Sequence, residues 1–318
     1  MASIVAYVSL YCVSLLNFLV LYVSLGSAPL RVEIRDSEVW LVSGEDAKQL
    51  TSDGKAKLQA ELSPSNDRIV YYEQCPESEH CIPSVIILNI EGQHVASFQP
   101  KSQGVPEGPC ISILSLSWTG ENAISVVCHI NPSVNEYIET DLITSQTNRD
   151  LLGYDFAQSP DGKKIAHAGW NPHFAPPDLK SDYLVVDSTI IYPLPKNTFP
   201  IEQIGFSRPP AVVRRRGLTS FGIHEFVSQI SWSSDSQRIA LIECTYDWTE
   251  DRQSLQAGVG TESRRRCSVL AASPAGKVEL FGLSEFLLAD LYQSHLEWTK
   301  TRELTLNVKG AMKTFEIQ

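Results

Sequence analysis

The amino-acid sequence predicts an all-β fold: a β-propeller of about five four-stranded blades, with six as the alternative, closed by N-terminal strands and preceded by an apolar N-terminal helix. Three observations lead there. A polar turn followed by a short apolar strand recurs five times along the chain. The recurrences are spaced as blades of about 40–45 residues with loop insertions are spaced. Beyond the first 28 residues, nothing reads as a helix.

The chain opens on an uncharged run of 22 residues, Ile4 to Leu25, and its first basic residue is Arg31. A helix of that length spans a bilayer. A secretory signal peptide usually has a basic start and a shorter apolar region; here the basic start is missing. Small residues at Ser24-Leu25-Gly26-Ser27-Ala28 offer a cleavage site, although Pro29 opposes a cut directly after Ala28. Residues 1–28 are therefore read as a signal peptide or a membrane anchor, and residues 29–318 as the propeller. A buried core helix is the alternative, but it lacks a helical partner. Cys12 is not preceded by the small residues of a lipoprotein box. Both leading readings place the protein outside the cytoplasm, periplasmic or secreted, with membrane contact through residues 4–25 if the segment is uncleaved.

The repeat begins with Leu62-Ser-Pro-Ser-Asn-Asp-Arg-Ile69, then Trp118-Thr-Gly-Glu-Asn-Ala-Ile124. It continues with Gln158-Ser-Pro-Asp-Gly-Lys-Lys-Ile165, Trp232-Ser-Ser-Asp-Ser-Gln-Arg-Ile239 and Trp298-Thr-Lys-Thr-Arg-Glu-Leu304. Ser, Pro, Asp, Asn and Gly build the turn by fixing φ, tolerating positive φ or bonding their own backbone. The flanking apolar and β-branched residues are those of strands. Spacings between the anchor Ile and Leu positions are 55, 41, 74 and 65 residues.

Further strands follow each hairpin: Val85–Asn89 and Val95–Phe98 about a Glu91-Gly92 turn, then Tyr137–Ile143, then Tyr183–Val186 with Ile190–Tyr192. Ser268–Ala272 and Val278–Phe281 serve the fourth hairpin, and only Lys313–Ile317 the fifth. The last blade is thus short of a strand. Glu38–Val42 and Lys48–Thr51, which have no hairpin before them, would complete it and leave no sheet edge open.

The copy Ser159-Pro160-Asp161-Gly162-Lys163-Lys164-Ile165-Ala166 resembles the repeat of TolB-like propellers, which also occurs in prolyl-oligopeptidase-type proteins. Val39–Val42 followed by Lys48-Gln49-Leu50-Thr51-Ser52-Asp53-Gly54 is similar to the outer strands of the same unit. The resemblance covers residues 38–317, with the third copy nearest the pattern. It implies the fold alone: residues 29–57 are too few for the α/β domain that precedes the TolB propeller, and a role in the Tol system does not carry over.

A propeller hosts many functions, so function is argued from a site. There is no Gly-x-Ser-x-Gly elbow, since Gly282-Leu-Ser284-Glu-Phe286 ends in Phe, and no Walker loop or zinc-protease motif. No pair of carboxylates stands out as a glycosidase pair. His167, His173 and Asp178 share a Pro-rich stretch without the periodicity that would make metal ligands converge. No catalytic residue, metal or cofactor is assigned. With 37 acids against 26 bases, a net charge of −11 excludes a phosphate-tracking surface and hence nucleic acid.

The length variation falls on one face, in Cys75–Cys81, Ile130–Asn135, Trp170–Asp182, Thr245–Ser263 and Pro193–Val227. Loops on a rigid scaffold commonly carry binding residues. Two of these loops carry Arg214-Arg215-Arg216 and Arg264-Arg265-Arg266, candidates for binding an anionic ligand or a protein on that face. Neutral insertion is the bland reading, and Asp247, Glu250, Asp251 and Glu262 are near enough in sequence to pair with these arginines. Six cysteines follow the leader. Strand register makes Cys75–Cys81 and Cys244–Cys267 the expected disulfides; Cys110–Cys128 ranks below them because its hairpin register is offset. The sequence thus reads as a non-catalytic exported binding module, with a glycosidase-like propeller hydrolase as the alternative.

Overall fold

The computed structural model describes residues 29–73, 82–102, 108–131, 134–169, 183–192, 213–215, 218–251 and 260–318. The leader, Cys75, Cys81, His173, Asp178 and Arg216 lie outside them. The described residues are almost entirely strand, with a single helical turn at Leu288–Leu291. Among them, no helix is long and apolar enough to cross a membrane. They divide into two compact units, the first ending near Ser97 and the second running from Phe98 to Gln318.

In the first unit, β1 (Leu30–Arg35), β2 (Glu38–Ser43) and β3 (Asp46–Gln49) form one antiparallel sheet. A four-stranded sheet follows, of β4 (Lys57–Leu62), β5 (Arg68–Glu73), β6 (Ser84–Asn89) and β7 (His94–Phe98). Val39, Ile69, Tyr71 and Leu88 make the core between them. Lys57 is buried there, and its Nζ meets Glu38 at 3.2 Å and also Asp53. Glu38 accepts in addition from Thr51 Oγ1 and from the Gly54 amide at 2.7 Å. A buried ammonium is tolerated because every partner it needs is built around it. The Thr51-Ser52-Asp53-Gly54 run supplies Asp53 to the ammonium and two of the donors that hold Glu38.

In the second unit, the short strands β8 (Lys101–Ser102) and β9 (Gly108–Pro109) pair with each other. Next comes a seven-stranded meander: β10 (Ile113–Gly120), β11 (Ala123–Asn131), β12 (Val134–Asp141), β13 (Thr147–Gln158), β14 (Ile165–Gly169), β15 (Leu184–Val186) and β16 (Thr189–Tyr192). The 12-residue β13 serves two hairpin repeats. Its first half pairs with β12, and its second half, beyond Gly153, with β14. The following sheet has the order β17 (Val213–Arg215), β18 (Leu218–Phe226), β20 (Ile239–Asp251), β21 (Gly260–Ala272), β22 (Val278–Gly282), with β19 (Ser231–Trp232) on the near half of β20. The last sheet is β23 (His295–Lys300), β24 (Glu303–Val308) and β25 (Ala311–Glu316).

All five expected hairpins are present, and their anchors Ile69, Ile124, Ile165, Ile239 and Leu304 are each fully buried. Three of the turns have one geometry. Ser63, Ser159 and Ser233 are buried, and each hydroxyl accepts the backbone N–H five residues on, at 2.9–3.0 Å. The third residue after each serine, Asn66, Gly162 and Ser236, has φ of 58°, 71° and 59°. A left-handed position in every copy explains why the turn draws on Gly, Asn and Ser.

Successive repeats of the second unit are tied by one recurring bond. Trp232 Nε1 donates to the carbonyl of Ala157 at 2.8 Å, and Trp298 Nε1 to that of Ser231 at 3.2 Å. Each acceptor directly precedes the corresponding position of the previous copy. The sheets also pack face to face. Ile239 and Leu241 join Ala166, Leu184 and Val186, while Ala240, Ile242 and Cys244 join Leu304, Leu306 and Phe315. Alternate side chains of β20 thus enter two cores, which is why its first four residues, Ile239–Ile242, are continuously apolar. Tyr183 lies flat on β14, and a Cβ built on Gly169 would fall inside its ring.

Two expectations are corrected. Strands β1–β3 do not complete the last blade; they pair only among themselves, and β23–β25 remain a three-stranded sheet. Both edges of β2 are already taken by β1 and β3. Nor is Thr245–Ser263 a loop throughout: Thr245–Asp251 continues β20 and Gly260–Ser263 opens β21, extending the fourth hairpin, and β18 pairs along β20 from Glu243 to Asp251.

Candidate functional site

The first strand segments of three successive repeats converge on a cleft of about 760 Å³, lined along 226–231 and 292–297 and by Asp155. Aligned on the hairpins, Asp155, Gln229 and His295 are equivalent positions, three residues before Gln158, Trp232 and Trp298. Ser231 and Glu297 are the positions just before the two tryptophans. Strand alternation sends each tryptophan into the inter-repeat packing and its neighbour towards the cleft. Asp155 sits in a bulge of β13 with φ 54°, where the register to β14 shifts between Tyr154 and Ala157. Bulges of this kind re-aim side chains.

Electrostatics give the cleft its character. None of its lining residues is Lys or Arg, whereas Asp155 and Glu297 are carboxylates. Glu297 Oε2 lies 3.2 Å from His295 Nε2. Behind the wall, buried Glu225 accepts from the hydroxyls of Tyr246 and Tyr292 at 2.9 and 2.7 Å. These bonds hold the exposed Tyr292 ring against the cleft. Ser228, Ser231, Gln229 and Gln293 add hydrogen-bonding groups of both kinds.

Other titratable clusters lie away from the cleft lining. Glu243 pairs with His224 Nε2 at 2.8 Å and also hydrogen-bonds Tyr192, whose hydroxyl burial and this carboxylate push well above the usual range. Glu136 and Asp150 share one face of β12 and β13. Burial, then the hydrogen bond and repulsion from Glu136, push the Asp150 carboxyl up to about 7. His167 is buried in β14 with its ring nitrogens 3.2 Å from the carbonyls of Ala168 and Asp187, and burial lowers its pKa. Among the described residues no three His, Cys, Asp or Glu groups are arranged to hold a metal. A second cavity, of about 490 Å³, lies where Arg238 and Lys277 both donate to the Gln318 carbonyl at 3.4 Å.

The arginine runs are on strands rather than loops. Arg214 and Arg215 belong to β17, and Arg264, Arg265 and Arg266 to β21. Register puts Arg214 level with Thr219 and Glu250, but Arg266 level with Thr245. Three strand spacings, about 14 Å, and five residues of strand separate them. Arg265 donates to the Phe286 carbonyl at 3.5 Å. The expected bridge Cys244–Cys267 is present between directly opposed residues, with Cα atoms 4.1 Å apart. Cys110–Cys128 is bridged as well, at 5.7 Å. Cys110 lies ahead of β10, where its amide donates to the Pro100 carbonyl, so the offset that ranked this pair low is absorbed outside the strand.

No family model and no curated protein matches the chain. Solved structures do, and they are TolB-like and other β-propeller proteins. TolB from Acinetobacter baumannii is 15% identical over 90% of this chain and 62% of its own, with a TM-score of 0.32. The β-propeller domain of the Trilobed protease from Pyrococcus furiosus is 11% identical over 90% of this chain and 92% of its own, with a TM-score of 0.34. The uncharacterized protein lmo1340 from Listeria monocytogenes EGD-e is 9% identical, covering 92% and 91%, with a TM-score of 0.38. The chain spans less than two thirds of the Acinetobacter TolB, and likeness at these identities concerns the fold alone.

Most of the cleft residues lie on the first strand segments of the repeats rather than on the long loops, so loop length does not mark them in the sequence. The signal was available in the alternation before each tryptophan, where Ser231 and Glu297 are polar beside an apolar partner.

Proposed function

We propose that this chain is an exported, non-catalytic β-propeller that binds a partner in the cleft lined by Asp155, Gln229, His295 and Glu297. The five hairpins set five blades, and the separate β1–β3 sheet makes a sixth. The observation that carries the binding reading is the convergence of equivalent polar positions from three repeats on one volume of about 760 Å³, a size typical of ligand sites. Export is supported by the uncharged Ile4–Leu25 run and by two disulfides, which persist in oxidising compartments. A partner larger than the cleft would also meet the arginines of β21.

A photo-crosslinking residue at Gln229 or Gln293 tests the reading in intact cells. A discrete adduct from both positions, absent with the same residue at exposed Ile143, in the turn beyond the end of β13 away from Asp155, is expected. Equal labelling from all three refutes the cleft. A reporter fused after residue 28 that is active only in the cytoplasm refutes export. The hydrolase alternative needs a carboxylate acid and base across the cleft, and it predicts glycoside cleavage that Asp155→Asn and Glu297→Gln both abolish.

A further inference from the structure

We propose that His167 is an acid-released latch at the seam between the second and third repeats: the neutral imidazole holds β13 on β14, and the imidazolium loosens them. His167 is buried in β14, beside the point at Gly153 where β13 leaves β12 and takes up β14. Each ring nitrogen meets a backbone carbonyl at 3.2 Å, Nδ1 that of Ala168 and Nε2 that of Asp187. A neutral imidazole has one N–H, so it donates to one carbonyl and turns a bare lone pair to the other. The two carbonyls thus compete for one proton, and a second proton arriving at the ring has an acceptor waiting.

What the site does not offer is a counter-charge. His167 makes no ion pair with any described residue; its neighbours are a column of rings, Phe156 at 5.2 Å and Tyr137 a further 5.5 Å on. The ionisable groups around that column are engaged elsewhere. Tyr137 of β12 donates to Glu139 at 3.4 Å, and Glu139 pairs with Arg149 of β13 at 3.6 Å. The Asp187 carboxylate accepts the Ile165 amide at 3.0 Å, and only its carbonyl faces the ring. Tyr154 and Asp155 stand next to Phe156 on β13, and Tyr183 lies on Gly169 at the end of β14. A charge taken out of water needs an opposite charge beside it, and neutral carbonyls replace that only in part. Burial accordingly lowers the His167 pKa, against the opposing pull of the Asp187 and Ala168 carbonyls. The ring is packed so tightly on β13 that a Cβ on Gly153 would collide with it. Water reaches the charged ring when β13 parts from β14. The sign follows: this contribution to the seam is complete above the unfolded histidine value of about 6.5 and is lost as pH falls through it.

The test is native-state hydrogen exchange and ring titration of the full chain by NMR. Parent and His167→Gln both carry Asp150→Asn, which removes the other group of β13 that titrates near neutrality. Protection of the amides in Gly153–Gln158 and Ile165–Gly169, taken relative to Glu303–Val308 of β24, is expected to fall severalfold between about pH 7.5 and about pH 5.5. An opened imidazole of ordinary pKa caps that fall at about tenfold. The glutamine variant should show no such fall, and the C2–H signal of His167 should titrate with a midpoint below about 6.5. A midpoint at or above that value overturns the latch, because the site would then favour the charged ring. The same fall in the glutamine variant places the loss elsewhere and overturns it too. If His167→Gln does not fold, the parent decides: a pH-independent protection ratio between β14 and β24 overturns the proposal, and a falling ratio together with the lowered ring midpoint supports it.

Discussion

Replacing Ser233 by Ala isolates the chemistry that makes the repeat. The Ser233 hydroxyl is fully buried, accepts the Arg238 N–H at 2.9 Å and donates to Asp235 Oδ1 at 2.6 Å. Alanine leaves that amide without its acceptor inside the turn, a loss of about 1–3 kcal/mol. Asp235 is near the surface and rehydrates, so its share is small. For a domain of this size each kcal/mol moves the melting midpoint by about 2–4 °C. Ser159→Ala removes the equivalent bonds, 3.0 Å from Lys164 and 2.7 Å to Asp161, and should cost nearly the same. The serine hydroxyl is also the first cause that holds the Asp161 and Asp235 carboxyls below the ordinary range. A carboxyl with a depressed folded pKa adds stability above its unfolded value, about 3.9, and loses it as pH falls through the folded one. The gap between parent and either variant should therefore be widest above pH 4 and narrow slightly on acidification, with the share of the amide remaining. Thermal unfolding followed by circular dichroism across that range reads both effects. A midpoint for Ser233→Ala within about 1 °C of the parent at neutral pH would show that the hydroxyl does not organise the turn.

Four further outcomes are expected. Gly162→Ala has room for its methyl group, with the nearest atom 3.6 Å away, so its net cost of about 1 kcal/mol comes from the left-handed backbone alone and should be absent in Asn66→Gly. Trp232→Phe and Trp298→Phe each lose an inter-repeat hydrogen bond, about 0.5–1.5 kcal/mol by urea titration, with the larger loss at Trp232, whose bond is shorter. Because the Asp150 carboxyl is raised to about 7 by burial and by Glu136, its ionisation opposes folding: parent stability should fall as pH rises from about 4 to 7, and Asp150→Asn should be the more stable protein above pH 7 and equal to it below pH 4. Mass spectrometry of non-reduced peptides should find Cys110–Cys128 and Cys244–Cys267, and opening either, across separations of 18 and 23 residues, should cost about 3 kcal/mol in the chain-entropy account.

Wherever the determinant is local, the amino-acid sequence by itself determined the outcome. Ser-x-x-Gly and its Asn and Ser variants dictate a left-handed turn three residues after a capping hydroxyl, and an Ile or Leu at a fixed distance dictates a buried strand. Hence all five hairpins, the Glu91-Gly92 turn and the Cys244–Cys267 pairing were legible. Which edges meet was decided by tertiary structure. The chain's first strands could satisfy their backbone groups on the last sheet or on one another, and nothing local distinguishes the two; β1, β2 and β3 pair with one another. The same holds for Thr245–Ser263, where charged residues resemble a loop until β18 arrives to pair along β20. The cleft is a property of three repeats at once: Asp155, Gln229 and His295 are unlike in chemistry and far apart in sequence, and only the stacking of sheet on sheet through Ile239, Ile242 and Leu304 brings their positions around one volume.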